Sequence, residues 1–466
     1  MNVRTPPMTQ SATPSPLATP SPAPPSPSTS PEYDDSEPTL SAMPPLDAWL
    51  HRQQVYGGSN MTGALLTWFE GPPPTVTTLR SLARQRLARY ARLRLVPHSP
   101  TTAHATGSWP LWSTGPRFEA DRHIAESPHV PATGLEAHIA ALFTAPLDPD
   151  RPPWQLHLIP TTGGFVLLLR AHHALLDGRS IATVLRALLD ETTPAHRPPT
   201  GPAHRSPTGP PPVEPPSRFR QLAWTLGDLV PKARPLPLHG PVDPHRVIAF
   251  RRVPSEELAA ARAASVSGAT GRERASANAV FLAATSGALR TLGLTGRFPR
   301  LPGVCALVPV DVRTDEQREL LGNHYATVRI PLPAQRDGRL RLAAVDSFIR
   351  RGAIGARARA QAAVVSSRPR KVTALGNAAS RYVDSPRYFS LVCSSVATHA
   401  GELTLGSARL TAMAGLPALG PGHPLALTFM RHGGGSVVTA LTDHGHRHLA
   451  QPLVDRIHAE IRHLSA

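Results

Sequence analysis

The chain has 466 residues, 41% of them hydrophobic, with a formal net charge of +17. This length is enough for two or three ordinary domains, and no apolar run reaches the ~20 residues of a membrane span. The densest stretches, Phe165–Leu169 and Ala279–Ala284, are the size of core elements. Cys305 and Cys393 are the two cysteines. They lack metal-type spacing, which argues against a disulfide framework or a cysteine-bound zinc.

Of the 54 prolines, 13 fall in residues 1–45 and 10 in residues 194–216. We therefore expect residues 1–42 to be a disordered Pro/Ser/Thr-rich tail and residues 194–245 a proline-rich linker with one helix at Phe219–Leu229. The tail opens with Arg4 but has no apolar signal core, so a cytoplasmic protein is the expectation. Lys232 and Lys371 are the only lysines among the 49 basic residues, so the charge reflects an arginine-rich composition as well as a field. A body this basic attracts polyanions such as anionic lipid or a phosphorylated cosubstrate. Nucleic acid is not expected, because no recognition motif accompanies the charge.

The order of elements predicts an α/β protein. Gly63–Phe69 reads as a strand, and Thr78–Leu95 as a helix with a Leu79-Leu82-Ala83-Leu87 stripe. A helix at Leu135–Phe143 precedes a strand at Trp154–Ile159, and Thr162-Gly163-Gly164 turns into Phe165–Ala171, apolar on both faces and therefore central. A helix follows over Arg179–Leu189. After the linker come a strand at Val247–Val253, a helix at Ser255–Ala264 with serine as N-cap, and a helix at Ala277–Leu292. Strands at Val304–Val310 and Ala326–Pro331 and a helix over Leu342–Ala363 continue the pattern. Strands at Ser390–Val396, Leu425–Met430 and Ser436–Thr442 and a helix at Pro452–His463 complete it. The halves 43–193 and 246–466 read as two α/β lobes with mixed sheets.

One constellation carries chemistry: Ala171-His172-His173-Ala174-Leu175-Leu176-Asp177-Gly178, at the end of the buried strand. Adjacent side chains on a strand point to opposite faces, so His172 and His173 do not both line one pocket, which disfavours a two-histidine metal site. One active and one packing histidine fits better, and a histidine held at a strand end suits a general base. No metal is expected; Asp443-His444-Gly445-His446-Arg447-His448 alternates histidines, but at a strand–helix junction where a solvated turn is commoner.

HHALLDG matches the His-His-x-x-x-Asp-Gly motif of the CoA-dependent acyltransferase superfamily, which includes chloramphenicol acetyltransferase and condensation domains. The flanking segments PPLDAWL, PLDPDRPPWQLHLI, NAVFLAATSGALR, CALVPVDVR and LGNHYATVRIPLP resemble the bacterial wax ester synthase/diacylglycerol acyltransferase family. The resemblance implies a two-lobe chloramphenicol-acetyltransferase-like sandwich with an active-site channel between the lobes. It implies His173 as the general base, and Asp177 as a residue that orients the loop by pairing with an arginine, for which Arg92 or Arg94 is the expectation. Gly178 would leave room for the turn and for substrate, and Trp154 would support the fold beside the channel. The family's Asn-Asp pair reads Asn278-Ala279 here, its Pro-Leu-Trp-Glu reads Pro152-Pro153-Trp154-Gln155, and its Asn-Val-Pro-Gly turn reads Ser394-Ser395-Val396-Ala397-Thr398.

The implied activity is transfer of an acyl group from acyl-CoA, a co-substrate rather than a resident cofactor, to a hydrophobic hydroxyl. The acceptor would be a long-chain alcohol, a diacylglycerol or a specialised alcohol or amine, with peripheral contact to a membrane or lipid droplet. Two alternatives stand beside it: a free-standing condensation-type enzyme using carrier-bound acyl groups, and a non-catalytic lipid-surface-binding relative.

Overall fold

The computed structural model describes residues 1, 39–98, 107–114, 118–191, 233–264, 274–295, 303–398, 401–433 and 435–465. Most of the expected tail, most of the linker and the helix at Phe219–Leu229 lie outside these residues, but the end of the expected tail is ordered: Leu40–Ala42 pair with Leu111–Ser113 as a strand. The described residues from 39 onward belong to one compact unit.

The first half contributes strands β1 (Leu40–Ala42), β2 (Thr62–Glu70), β3 (Leu95–His98), β4 (Leu111–Thr114), β5 (Ile124–Glu126), β6 (Trp154–Thr161), β7 (Gly164–His172) and β8 (Asp190–Glu191). Its helices are α1 (Pro45–Gly57), α2 (Val76–Leu87), α3 (Ala120–His123), α4 (Leu135–Thr144) and α5 (Gly178–Ala187). The second half adds β9 (Arg246–Pro254), β10 (Cys305–Asp311), β11 (Tyr325–Pro331), β12 (Leu391–Ala397), β13 (Leu403–Leu405), β14 (Ala408–Leu416), β15 (Leu425–His432) and β16 (Gly435–Asp443). Its helices are α6 (Ser255–Ala263), α7 (Ala277–Thr291), α8 (Gly338–Arg351), α9 (Ile354–Ser366), α10 (Ala374–Val383) and α11 (Arg447–Ser465). No helix among the described residues is long and apolar enough to cross a membrane.

Two mixed sheets dominate, in the orders β5-β6-β7-β2-β14-β13-β8 and β11-β10-β12-β15-β16-β9, with a small sheet β1-β4-β3 beside them. The division of strands by chain half does not hold. β13 and β14, from residues 403–416, join the first half's sheet, where β14 runs antiparallel to β2 from Arg409 opposite Glu70 to Leu416 opposite Ala64. All nine residues of β7 are buried, as a central strand covered on both faces requires. Period-2 alternation divides its neighbours: Leu65, Leu167 and Leu169 face a core shared with α2 and α5, whereas Leu66, Val166 and Leu168 face a core shared with Ile248, Ala414 and Leu441 of the other half. A third core packs α7, α8 and α11 against the six-stranded sheet.

Three helices depart from expectation, each for a local reason. α2 stops at Leu87, and residues Ala91–Arg94 form a 3-10 turn leading into β3; Arg92 turns inward there to bind carbonyls of the histidine loop. The helix expected over Leu342–Ala363 is two helices, broken where Ala353 takes φ 46, a left-handed conformation that costs a non-glycine residue about 1–2 kcal/mol. α6 begins straight off β9, so Pro254 occupies the cap position and Ser255 is already helical.

Candidate active site

The site begins where β7 ends. His172 pairs with Thr62 across β2, and the His173 N–H donates to the Met61 carbonyl at 2.7 Å, which turns the chain out of the sheet. His172 is buried, its Nδ1 accepting the Ala174 N–H at 2.9 Å. Burial, with His51 and His173 alongside, pushes its pKa down to about 3, so the ring is neutral and packs 6.0 Å from the His51 ring. His173 is half-buried, with its ring 5.6 Å from that of Tyr325.

The contacts of Asn323 determine how His173 is used. The Asn323 Nδ2 lies 2.9 Å from Asp47 Oδ1, 2.8 Å from the His173 carbonyl and 3.0 Å from the Ala174 carbonyl. All three are acceptors, so this end of the amide is the nitrogen and the other end is the oxygen. That oxygen sits 3.2 Å from His173 Nδ1, which therefore carries the proton and donates. In this tautomer the lone pair lies on Nε2, as a base needs. Asp47 is itself fixed: Arg92 and the Trp112 Nε1–H, at 3.1 Å, both donate to Oδ2.

Asp177 caps α5, accepting the Ser180 N–H on Oδ1 at 2.7 Å, and accepts the His324 N–H on Oδ2 at 3.0 Å. Its ion partner is Arg313, at 2.9 Å, and both side chains are at most 4% exposed. The expected pairing with Arg92 or Arg94 is thus corrected. Arg92 instead pairs with Asp47 and donates to the Ala174 and Leu175 carbonyls, bracing the same loop by another route. The Arg94 Nε is buried with no partner among the described residues. Arg313 also donates to Ser180 Oγ at 2.9 Å, to the Gly322 carbonyl at 3.0 Å and to Asp311 at 3.0 Å. Gly322 takes φ 125, which only glycine adopts easily, and so presents its carbonyl to Arg313 and Asn323 to the histidine.

Gly178 has no left-handed φ, and a Cβ placed on it would meet nothing within 4 Å. Neither the turn nor crowding by the protein requires glycine there. Trp154 is buried at the start of β6 opposite Ala171, its Nε1–H donating to the Leu93 carbonyl at 3.0 Å and its ring stacked on His123. Asn278 lies in the first turn of α7, which packs against α8 and α11, and its Oδ1 is buried with no partner among the described residues. It makes no described contact with the histidine loop. Asp443 caps the turn at His444–His446, accepts the Asp243 N–H and lies 2.6 Å from His446 Nδ1, so its carboxylate holds the turn together.

Asn323, Arg313 and Asp47 were the residues that sequence reasoning did not single out. All three lie within segments quoted for the family resemblance, namely LGNHYATVRIPLP, CALVPVDVR and PPLDAWL.

Comparison with known proteins identifies the family. The family model of the wax ester synthase/diacylglycerol acyltransferase catalytic domain matches residues 45–280, and that of the family's C-terminal domain matches residues 321–465. A candidate diacylglycerol O-acyltransferase of Mycobacterium bovis is 28% identical over 390 residues, covering 75% of this chain and 74% of its own. Among solved structures, the wax ester synthase/diacylglycerol acyltransferase of Marinobacter aquaeolei VT8 superposes with a TM-score of 0.60 at 17% identity, over 91% of this chain and 98% of that one. The starter condensation domain of rhizomide synthetase, in complex with C8-CoA and Leu-SNAC, gives a TM-score of 0.58 at 15% identity over 92% and 94%. With both family models matched in order along it, the chain belongs to the wax ester synthase/diacylglycerol acyltransferase family of acyltransferases.

Proposed function

We propose that the protein moves an acyl group from acyl-CoA to the hydroxyl of a hydrophobic acceptor, with His173 as general base. The observation that carries this reading is the Asn323 amide, which fixes the proton on His173 Nδ1 and leaves Nε2 free to accept one. Nε2 takes the acceptor's hydroxyl proton as its oxygen forms a bond to the thioester carbonyl carbon. The carbon–sulfur bond then breaks, and the imidazolium returns the proton to the CoA thiolate, giving ester and free CoA. His172, neutral and buried, packs behind the base. Asp177 and Arg313 fix the loop and touch no substrate. Gly178 stands beside open space at the start of α5, which suits close approach of a ligand.

The test is acceptor-dependent CoA release from a panel of acyl-CoAs, with long-chain alcohols, diacylglycerol and small amines as acceptors. We expect His173→Ala to lose about 100- to 10,000-fold in rate. A folded His173→Ala protein with wild-type turnover would refute the assignment. Transfer only from carrier-bound donors would move the protein to condensation chemistry.

A further inference from the structure

We infer that residues 350–383, built around α9 and α10, form a docking surface for anionic phospholipid. The segment holds eight arginine and lysine residues and no aspartate or glutamate. Arg359, Arg368, Arg370, Lys371 and Arg381 are all exposed, and none makes an ion pair with any described residue. α10 has no buried residue and α9 buries only Ala358, so neither helix gains much from the core beneath it. Leu375 is 81% exposed and Val364 39%.

The arrangement along α10 argues for a negatively charged, partly apolar partner. Its C-terminal end is fixed: the Tyr382 ring lies 5.5 Å from that of Tyr388, and Asp384 accepts a hydrogen bond from Gln53 of α1. Its N-terminal end projects Leu375, preceded by Arg368, Arg370 and Lys371, with no acid in the first turn. Cations sit unfavourably at a helix N-terminus, whose own dipole is positive, and a layer of phosphate headgroups offsets both. Leu375 and Val364 would enter the headgroup–acyl boundary, as in other interfacial helices. A nucleic-acid partner is disfavoured, because Tyr382 is the only aromatic residue in the segment and it is packed against Tyr388. The position is also informative. α9 contacts α1, and α1 carries both Gln53 and the Asp47 that holds Asn323, so the surface flanks the helix behind the base. Delivery of a lipid-borne acceptor past α1 rests on the acyl-transfer reading above; the docking itself does not.

The test is cosedimentation of the full chain with phosphatidylcholine vesicles, alone or containing roughly one-third phosphatidylglycerol. It uses the wild type, the triple variant Arg368→Gln/Arg370→Gln/Lys371→Gln, and Leu375→Gln. A basic residue near an anionic surface changes partitioning about fivefold, so the triple variant should bind on the order of 100-fold more weakly. Leu375→Gln should weaken binding about tenfold at low and high salt alike. The substituted positions are exposed, so unchanged unfolding temperatures will show that the variants fold. Wild-type affinity in the folded triple variant overturns the inference, as does failure of the wild type to bind anionic vesicles. Binding of duplex DNA in place of vesicles overturns it as well, with the patch then assigned to nucleic acid. CoA release to a water-soluble acceptor separates the two readings. Turnover without vesicle binding sinks only the docking surface, and vesicle binding without turnover on any acceptor sinks only the catalytic reading.

Discussion

Replacing Asp177 is the sharpest test of how the two halves hold the histidine loop. Asp177→Ala removes the carboxylate shared by Arg313, the Ser180 N–H and the His324 N–H. Breaking a buried ion pair from one side costs about 3–5 kcal/mol, and loss of an N-cap about 1 kcal/mol more. Arg313 retains Asp311, Ser180 Oγ and the Leu320 and Gly322 carbonyls, which places the ion-pair component at the low end of its range. The expected total is about 4 kcal/mol, read from urea unfolding followed by tryptophan fluorescence and circular dichroism. Asp177→Asn keeps the shape and the capping oxygen but turns an NH2 toward two donors, so it should fall between alanine and wild type. Arg313→Met leaves Asp177 with its two backbone donors, and the double variant should cost about 2 kcal/mol less than the sum of the singles. A loss below about 1 kcal/mol for Asp177→Ala, or strict additivity with Arg313→Met, would show that this pair does not hold the loop.

Other consequences are open to measurement. Arg92→Ala strands Asp47 and two loop carbonyls and should cost about 3 kcal/mol, whereas Arg94→Ala should stay within about 1 kcal/mol of wild type; equal losses would contradict the division of roles. Asn323→Ala should lower kcat about 10- to 100-fold with little change in acceptor KM, because it frees the His173 tautomer. A purely structural role would leave kcat per folded molecule intact. Acid should destabilise the fold. Burial lowers the pKa of His172 to about 3 and those of His51, His157 and His423 to about 4. Between pH 6.5 and 4 these rings bind protons only when unfolded, so each contributes stability that is complete above 6.5 and lost as pH falls, about 1.4 kcal/mol per unit. Asp384, raised by burial to about 7, acts in the opposite sense over the same window. Four against one leaves up to about 4 kcal/mol per pH unit. A urea midpoint that is flat from pH 7 to 5 would refute this.

What could be read in the sequence was local. β7 is a continuous apolar run after a glycine turn, so the strand and the histidines at its end follow from short-range pattern. The partners of that loop are not local: Arg313 reaches Asp177 across 136 positions and Asn323 reaches His173 across 150, and no periodicity encodes such a pairing. Asn278, the remnant of the family's Asn-Asp pair, lies in the first turn of α7 with its Oδ1 buried and no partner among the described residues. α1 escaped notice because its buried face includes Asp47 and His51, polar residues that spoil the amphipathic stripe while serving the site. β14 was hidden by its shift between Leu410 and Ala412, and because its partner β2 lies in the other half. The single helix expected over Leu342–Ala363 failed for a different reason: Ala353 gives no signal for a left-handed residue.

His173 and the Asn323 amide that orients its ring come from different halves of the chain, and this has a consequence for stability. Met61 and β7 place His173, but Asn323 and Arg313 arrive only when the segment after β10 docks on the loop. β14, crossing into the first sheet beside β2, ties that docking to the hydrophobic core between the sheets. The contact around Asp177 is polar, a set of hydrogen bonds around one buried ion pair and not an apolar core, so it opens at lower cost than either sheet. In the open state His173 loses the acceptor on Nδ1, and its proton is free to move to Nε2, the atom that the proposed mechanism needs unprotonated. Activity should therefore fall with denaturant or acid before the sheets unfold, and variants that weaken the Asp177–Arg313 pair should widen the gap between the two transitions.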